Sequence, residues 1–249
     1  MEIFDKVGIG ATFFLEGRVF RRFARLGFHP RMLDRHEIGS HGFGHEDFTG
    51  RDSGIPLSYD DCSTALEVSI ETIYKATGRL PVGFRAPYTR IHRPLFVAAA
   101  TVGFKYDSSI TKEITMPGWG AVRLTSDGAS LVELPLAQAR DSTGRKMGSY
   151  LWPVFEGRRG IWEYALLAQR LLREGCPFVQ FALHPWHIVV DENGRRFSDV
   201  RIAENLDALR FLCGFLAGLS GAEIAPLGKA LERMSVKSEC DFGDFQGDF

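Results

Sequence analysis

The chain has 249 residues, of which 45% are hydrophobic and 24% charged, a composition that suits one large globular domain and excludes a chain disordered by composition. Thirty basic and thirty-one acidic residues give a formal net charge of −1, so there is no electrostatic reason to expect a nucleic acid or an anionic membrane as partner. The four cysteines form no Cys-x-x-Cys pair, which argues against a zinc ribbon or a disulfide framework, and no apolar stretch is long enough to span a bilayer.

Predicted strands and helices alternate along the first part of the chain. ATFFL at residues 11–15 is a short apolar run typical of a buried strand, and HEIGS at 36–40 and GFRAP at 83–87 are predicted as the second and third strands. Between the first two, Val19, Phe20, Phe23 and Leu26 recur at helical spacing. Before the third, a helix is predicted with Ser58 as its N-cap and an end near Gly78.

The same alternation continues in the second part. Pro94 is predicted in the first turn of a helix that ends near Val102 and precedes the extended FKYDSSI, and LVELP is the strand expected within the Gly- and Pro-rich residues 111–158. A helix over 161–172, a strand FVQFALH at 178–184 and a last helix over about 199–218 follow. This order predicts an α/β fold with a mainly parallel sheet, either a barrel or an open sheet. Residues 1–228 are predicted to form the domain and residues 229–249 a frayed tail.

Polar side chains follow three of the predicted strands at the points where these strands end. His41 and His45 follow HEIGS, Arg85 and Tyr88 lie at the end of GFRAPY, and His184 ends FVQFALH. The carboxyl ends of parallel strands gather their loops at one edge of a sheet, where active sites are built. We therefore expect the candidate site at this edge.

Each of these residues also has a plain structural interpretation. Two histidines four residues apart can bind a divalent cation from one turn, but Gly42 and Gly44 weaken a helix there, and satisfied loop histidines are an equal alternative. His184 is either a proton donor or a side chain that ends a strand. Arg85 either pairs with a carboxylate near the site or forms a surface ion pair.

The segments ATFFLEG, EIGSHGFGH, GFRAPY, YDSS and LHPW occur in this order between about residues 3 and 187. Together they resemble the polysaccharide deacetylase family, also called the NodB-homology family or carbohydrate esterase family four. The resemblance implies a distorted (β/α) barrel that removes N-acetyl groups from amino sugars of a polysaccharide or oligosaccharide with a divalent metal, most often zinc.

The resemblance also assigns roles to residues. It implies that His41 and His45 are metal ligands, that the backbone N–H of Tyr88 binds the oxyanion and that Tyr88 contacts substrate, and that His184 protonates the departing amine. Arg85 would orient the catalytic base.

Three further residues receive roles from the same resemblance. Asp107 would be the acid that tunes the histidine or the arginine. Leu183 and Trp186 would form walls of the acetyl pocket, with core packing as an equal alternative for both.

The chain departs from the family pattern at its beginning. Family members open with a T-F-D-D-G strand whose two aspartates supply the base and the third metal ligand, and this sequence contains no such segment. Asp5 lies too close to GIGATFF to replace them, and Asp47, two residues after His45, is an unfavourable substitute. The simplest interpretation is an N-terminally shortened or mis-started chain, cytoplasmic as given, from which an upstream secretion signal could also have been lost.

Two other functions stay open at this stage. One is a sugar-binding or regulatory pseudoenzyme that kept the pocket and lost the base. The other is an amidohydrolase that acts on a non-sugar amide.

Overall fold

The computed structural model describes residues 2–27, 29–116, 118–141, 143–236 and 239–246. The helices are α1 (Glu2–Val7), α2 (Gly17–Arg25), α3 (Tyr59–Thr77), α4 (Arg93–Thr101), α5 (Trp152–Phe155), α6 (Ile161–Arg173), α7 (Asp199–Ala217), α8 (Leu227–Arg233) and α9 (Phe242–Gln246). The strands are β1 (Thr12–Leu15), β2 (Glu37–Ser40), β3 (Gly83–Phe84), β4 (Tyr106–Asp107), β5 (Thr111–Glu113), β6 (Val122–Ser126), β7 (Ala129–Glu133), β8 (Leu136–Arg140), β9 (Lys146–Gly148) and β10 (Glu239–Asp241).

Seven of these strands form a sheet in the order β1-β2-β3-β4-β7-β6-β10. All neighbours pair in parallel except β6 and β7, which form an antiparallel hairpin. The predicted mainly parallel α/β sheet is therefore confirmed. The strands β5, β8 and β9 form a second, three-stranded sheet.

The chain divides into two compact units. Unit 1 comprises Met1–Ile9, Lys112–Trp119 and Leu136–Ile224; unit 2 comprises Gly10–Thr111, Gly120–Pro135 and Ala225–Phe249. Each unit has its own apolar cluster: helices α6 and α7 contribute to that of unit 1, and α3 and α4 to that of unit 2.

The helix α3 begins and ends as its sequence predicts. Ser58 accepts a hydrogen bond from the backbone N–H of Asp61, and the Asp61 carboxylate accepts one in return from the N–H of Ser58, which forms a capping box. Gly78 adopts a left-handed conformation at φ 70°, which ends the helix at little steric cost. Leu66 and Ile73 point into the core of unit 2 and are fully buried.

Several predictions of local structure are wrong, and tertiary contacts give the reason. FVQFALH forms only a single bridge, from Ala182 to Tyr150, because no continuous strand lies beside it. GFRAP is a strand only at Gly83–Phe84, since a 3-10 turn begins at Pro87. Residues 111–158 contain four strands besides LVELP, of which β6 pairs with that segment as a hairpin.

The predicted frayed tail is also wrong for its described residues. The strand β10 pairs in parallel with β6, and Phe242 is buried against the ring of Phe96, with ring centroids 4.6 Å apart. Residues 237–238 and 247–249 of the tail lie outside the described part of the chain.

A buried carboxylate fixes the amino-terminal end of β2. Glu37 accepts hydrogen bonds from the hydroxyls of Thr12 and Tyr106 and from the backbone N–H of Gly228 at 2.9 Å. A Cβ on Gly228 would lie 2.2 Å from the Glu37 carboxylate, so only glycine fits there. Since the amino-terminal ends of parallel strands serve stability more often than catalysis, we assign Glu37 to the fold.

Candidate functional site

Four adjacent parallel strands end in polar residues at the same edge of the unit 2 sheet. His41 follows β2, Arg85 follows β3, Asp107 ends β4 and Glu133 ends β7. Consecutive backbone hydrogen bonds hold these strand ends in register: Arg85 N–H donates to Ser40 O at 3.0 Å, and Ser108 N–H donates to Phe84 O at 2.9 Å. The expected gathering of polar residues at a carboxyl edge is thus found within unit 2.

His41 and His45 lie side by side in the loop after β2. Their ring centroids are 5.1 Å apart. Nδ1 of His41 is 2.7 Å from the carbonyl oxygen of Arg85; when this nitrogen carries the proton and donates it, Nε2 is the ring nitrogen that carries the lone pair. Metal-binding histidines are commonly oriented by such a second hydrogen bond. The loop is not helical, and His45 has a left-handed backbone at φ 60°.

The histidine loop, residues 41–45, is held by its own backbone and by α3. Ser69 of α3 donates its hydroxyl to Gly42 O at 2.8 Å. Glu46 accepts the backbone N–H groups of Phe43 and Gly44. Gly42 has φ 78°, and a Cβ there would lie 2.4 Å from Glu46 Oε2, so the turn requires glycine.

Asp47 does not serve this site as a substitute ligand. Its carboxylate accepts the backbone N–H groups of Arg51, Asp52 and Ser53, and the last two bonds are 2.8 Å long. Hydrogen bonds from the Ser53 backbone and its neighbours lower the pKa of Asp47 to about 2. The carboxylate therefore closes the loop that follows it.

Tyr88 lies directly against the histidine loop. Its ring centroid is 4.6 Å from that of His45, and its own backbone is left-handed at φ 58°. Within the described residues, its backbone N–H has no acceptor. Three of the four described non-glycine residues with positive φ are His45, Tyr88 and Thr89. Backbone strain is thus concentrated here, as it is at many functional sites.

The side chain of Arg85 turns into the sheet and away from the surface. It is 7% exposed, and its Nε and Nη2 donate to the backbone oxygen and the hydroxyl of Ser108, each at 2.8 Å. Its guanidinium carbon lies 4.4 Å from the ring centre of Phe14 on β1. The alternative interpretation of Arg85 as a partner in a surface ion pair is therefore wrong. Its side chain instead links β1, β3 and β4.

Asp107 is buried beside a second carboxyl group, Glu133, on the neighbouring strand, where the two residues are paired in register. Burial raises the pKa of both groups, and the charge of Asp107 raises that of Glu133 further. Ser109 donates its hydroxyl to Asp107 at 2.6 Å, and Ile110 N–H donates to Glu133 at 3.1 Å. Sequence reasoning missed Glu133, although an acidic residue at the end of LVELP was a usable signal.

The remaining predicted site residues belong to unit 1. The ring of His184 stacks on Tyr150 at 5.6 Å and on Trp186 at 5.7 Å between centroids. Trp186 is 49% exposed, whereas Leu183 packs against the apolar cluster of unit 1, as the core-packing alternative predicted. Burial lowers the pKa of the neighbouring His187 to about 4.

The donor set fits a divalent cation in part. His41 and His45 suit two positions of a tetrahedral site, because neutral imidazoles are common zinc ligands. Among the described residues, however, no three His, Cys, Asp or Glu side chains are close enough to form a metal site. Only the histidine half of the predicted site is therefore recognisable.

A parallel α/β sheet with histidines at its carboxyl edge defines the class of protein, and comparisons with known proteins show which proteins it resembles. Residues 1–106 match the family model described as polysaccharide deacetylase. A peptidoglycan deacetylase-like protein of Gibberella zeae is 34% identical over 113 residues, which are 45% of this chain and 31% of that protein. A peptidoglycan deacetylase of Helicobacter pylori is 29% identical over 111 residues, 44% of this chain and 35% of that protein.

A solved structure of a candidate polysaccharide deacetylase from Mycobacterium smegmatis has a TM-score of 0.64 at 22% identity, over 93% of this chain and 74% of that one. This likeness confirms the predicted α/β fold of the polysaccharide-deacetylase type. The predicted resemblance is confirmed too, since residues 1–106 match the family model described as polysaccharide deacetylase. The aligned region is about a third of the length of the two curated relatives. None of the helices in the described ranges is long and apolar enough to cross a membrane.

Proposed function

We propose that this protein is a metal-dependent hydrolase that removes N-acetyl groups from the amino sugars of a polysaccharide or oligosaccharide. The observation that carries the proposal is the pairing of His41 and His45 beside the strained turn at Tyr88. This arrangement puts two potential cation ligands and an uncommitted backbone N–H within one small volume. The family match over the same residues supports it.

Each residue in this cluster would have a distinct task. His41 and His45 would hold the cation, most plainly zinc, which when bound would polarise the acetyl carbonyl and acidify a water molecule. The N–H of Tyr88 would donate to the carbonyl oxygen as negative charge develops on it. Arg85 would keep this edge rigid by joining three strands, so that these donors hold their positions.

The buried carboxyl groups would act at a distance from the reacting atoms. Burial raises the pKa of both Asp107 and Glu133. Asp107 lies directly before Ser108, which Arg85 contacts, and Glu133 lies on the neighbouring strand β7. We propose that Asp107 positions this network and does not itself transfer a proton to substrate. That His184 protonates the amine, and that Trp186 lines the acetyl pocket, stay predictions, which kinetics on the His184→Ala variant would test.

Metal binding and acetate release test the proposal together. Zinc bound per chain is measured by elemental analysis after dialysis for the wild type, His41→Ala, His45→Ala and the control His29→Ala, whose side chain is exposed and lies in another loop. We expect both site variants to lose zinc and the control to keep it. Acetate release is then measured on chitin oligomers and on peptidoglycan. Equal zinc in all four proteins would refute the ligand assignment.

One observation favours a second candidate, a sugar-binding protein without catalysis. Both carboxylates next to the histidine loop, Glu46 and Asp47, are engaged by backbone N–H groups, so neither is free to act as a base. Saturable binding of N-acetylglucosamine oligomers without acetate release, at full zinc occupancy, would favour this candidate. Acetate release from a non-sugar amide alone would favour the amidohydrolase.

A further inference from the structure

The helix α2 carries an unusual excess of uncompensated positive charge. It contains four arginines and no acidic residue. Arg18 pairs with Glu16 at 3.3 Å, but Arg21, Arg22 and Arg25 have no ion-pair partner within the described ranges. Nothing in the near-neutral overall charge of −1 predicts such a local concentration. Clustered charges of one sign attract an oppositely charged ligand more strongly than scattered ones do.

Two of these arginines face a groove between α2 and α3. The groove has a volume of about 580 Å³ and is lined by Arg21, Arg25, Phe43 and Lys75, among others. Glu71 also lines it, but this carboxylate pairs with Lys75 at 2.6 Å. The two guanidinium groups are therefore left to bind an anion, and their planar forks match a carboxylate or phosphate well.

An aromatic ring forms one wall of the groove. The guanidinium carbon of Arg21 lies 5.6 Å from the ring centre of Phe43, and this ring is half-buried. An aromatic face beside cationic side chains offers an apolar surface for the C–H face of a sugar and polar donors for its charged substituent. The groove therefore suits a charged sugar better than a simple inorganic anion.

The groove and the candidate site share the histidine loop, since Phe43 of this loop lines the groove. Phe43 lies between His41 and His45 in sequence. Gly17 of α2 donates its N–H to Gly42 O at 3.0 Å, and Arg18 donates its N–H to Phe43 O at 2.7 Å. Gly17 permits this approach, since a Cβ there would lie 3.1 Å from the Phe43 ring.

We infer that the groove between α2 and α3 is a subsite for an anionic glycan. It binds a carboxylate or phosphate group of the same polymer whose acetamide reaches the histidine loop. This inference rests on the proposed function for the identity of the polymer, but the subsite itself stands on the groove and its charges. The exposed apolar side chains Val19 and Phe23 of α2 and Leu26 directly after it do not line the groove, so a lipid surface is not the occupant that its geometry favours.

Equilibrium binding of labelled oligomers tests the inference without catalysis. The probes are N-acetylglucosamine oligomers of equal length that are neutral, carboxymethylated or phosphorylated. We expect the wild type to bind one or both anionic probes more tightly than the neutral probe. The double variant Arg21→Glu with Arg25→Glu should weaken anionic binding at least about tenfold, as loss and reversal of two charge pairs imply. The anionic probe that responds identifies the group that is bound.

Matched variants separate the groove from general charge. Arg22→Glu changes the same charge on the same helix outside the groove, and should change binding by less than about threefold. The variant Arg21→Lys with Arg25→Lys should retain most of the affinity, and circular dichroism checks that each variant is folded. A loss of affinity in Arg22→Glu as large as in the double variant would overturn the inference. The inference would also be overturned if the double variant lost as much affinity for single-stranded DNA or anionic lipid vesicles as for the glycans, and the wild type showed no preference for glycans.

The inference and the proposed function fail in different ways. If the anionic preference depends on Arg21 and Arg25 but no probe loses acetate, the proposed function fails and the subsite stands. If acetate is released with the same KM from neutral and anionic oligomers, in the wild type and the double variant alike, the subsite fails and the proposed function stands.

Discussion

Replacement of Arg85 by lysine is the sharpest test of how the strand edge is held. Arginine donates two hydrogen bonds to Ser108, each 2.8 Å long, and stacks over Phe14. A lysine keeps the charge but can replace only one of these bonds. A lost hydrogen bond from a charged group costs about 1.5–3 kcal/mol, and the lost stacking costs about 0.5–2 kcal/mol. We therefore expect Arg85→Lys to destabilise this part of unit 2 by about 2–5 kcal/mol.

Hydrogen exchange is the appropriate assay because it reports on this region directly. All four tryptophans lie in unit 1, so their fluorescence does not follow the strands of unit 2. A loss of 2 kcal/mol or more corresponds to a fall in amide protection of about thirtyfold or more in peptides that cover residues 37–41 and 83–88.

An exposed arginine elsewhere in the same sheet supplies the control. Arg123 on β6 is exposed and donates one hydrogen bond to the Ser130 hydroxyl at 3.3 Å, so Arg123→Lys should cost less than about 1 kcal/mol. If Arg85→Lys leaves amide protection as high as the control does, Arg85 does not join these strands and our account of the site's rigidity is wrong.

Two further predictions concern pH. Burial raises the pKa of Glu133 above its unfolded value, so its contribution to stability is present at low pH and lost as pH rises through the folded pKa. Glu133→Gln can keep the bond from Ile110. In urea this variant should therefore be more stable than the wild type at about pH 8–9, but not at about pH 4. A variant that is more stable than the wild type only at low pH would contradict the assignment. His187 shows the opposite shift: its folded pKa of about 4 lies below the ordinary value, so stability is complete above about pH 6.5 and is lost as pH falls towards 4. Discounted for the partial exposure of His187, the stability lost on acidification is about 1–3 kcal/mol. The variant His187→Gln should remove this loss, which urea midpoints at about pH 7 and about pH 4.5 measure. Equal acid sensitivity in the wild type and the variant would count against a neutral, partly buried His187.

The local signals that were strong in sequence are those that short-range physics determines. The capping box at Ser58 and the αL residue Gly78 mark both ends of α3 without any tertiary partner. The apolar run ATFFL predicted β1, and HEIGS was predicted as β2 because it continues the alternation of strands and helices. The predictions failed where pairing between strands decides the local structure. FVQFALH is as apolar as a strand, but only one of its residues forms a bridge to another described segment.

The residues of the candidate site likewise fall into those predicted from local sequence and those brought together only by long-range contacts. Sequence spacing placed His41 and His45 together, because four residues of loop cannot separate them far, and the family resemblance gave them a role. The sequence did not predict Glu133 beside Asp107, nor the burial of Arg85. These contacts join residues more than 20 positions apart, and the order of strands in the sheet brings them together.

By itself, then, the amino-acid sequence determined the alternation of helices and strands, both ends of α3, the resemblance to a known family and the paired histidines. Each of these depends on neighbours within a few residues or on a pattern of such neighbours. The strand order, the docking of β10, the buried carboxyl pair and the cationic groove beside Phe43 were decided only in the tertiary structure. Their energies come from contacts between distant segments, and burial and charge at such contacts exist only once the chain has folded.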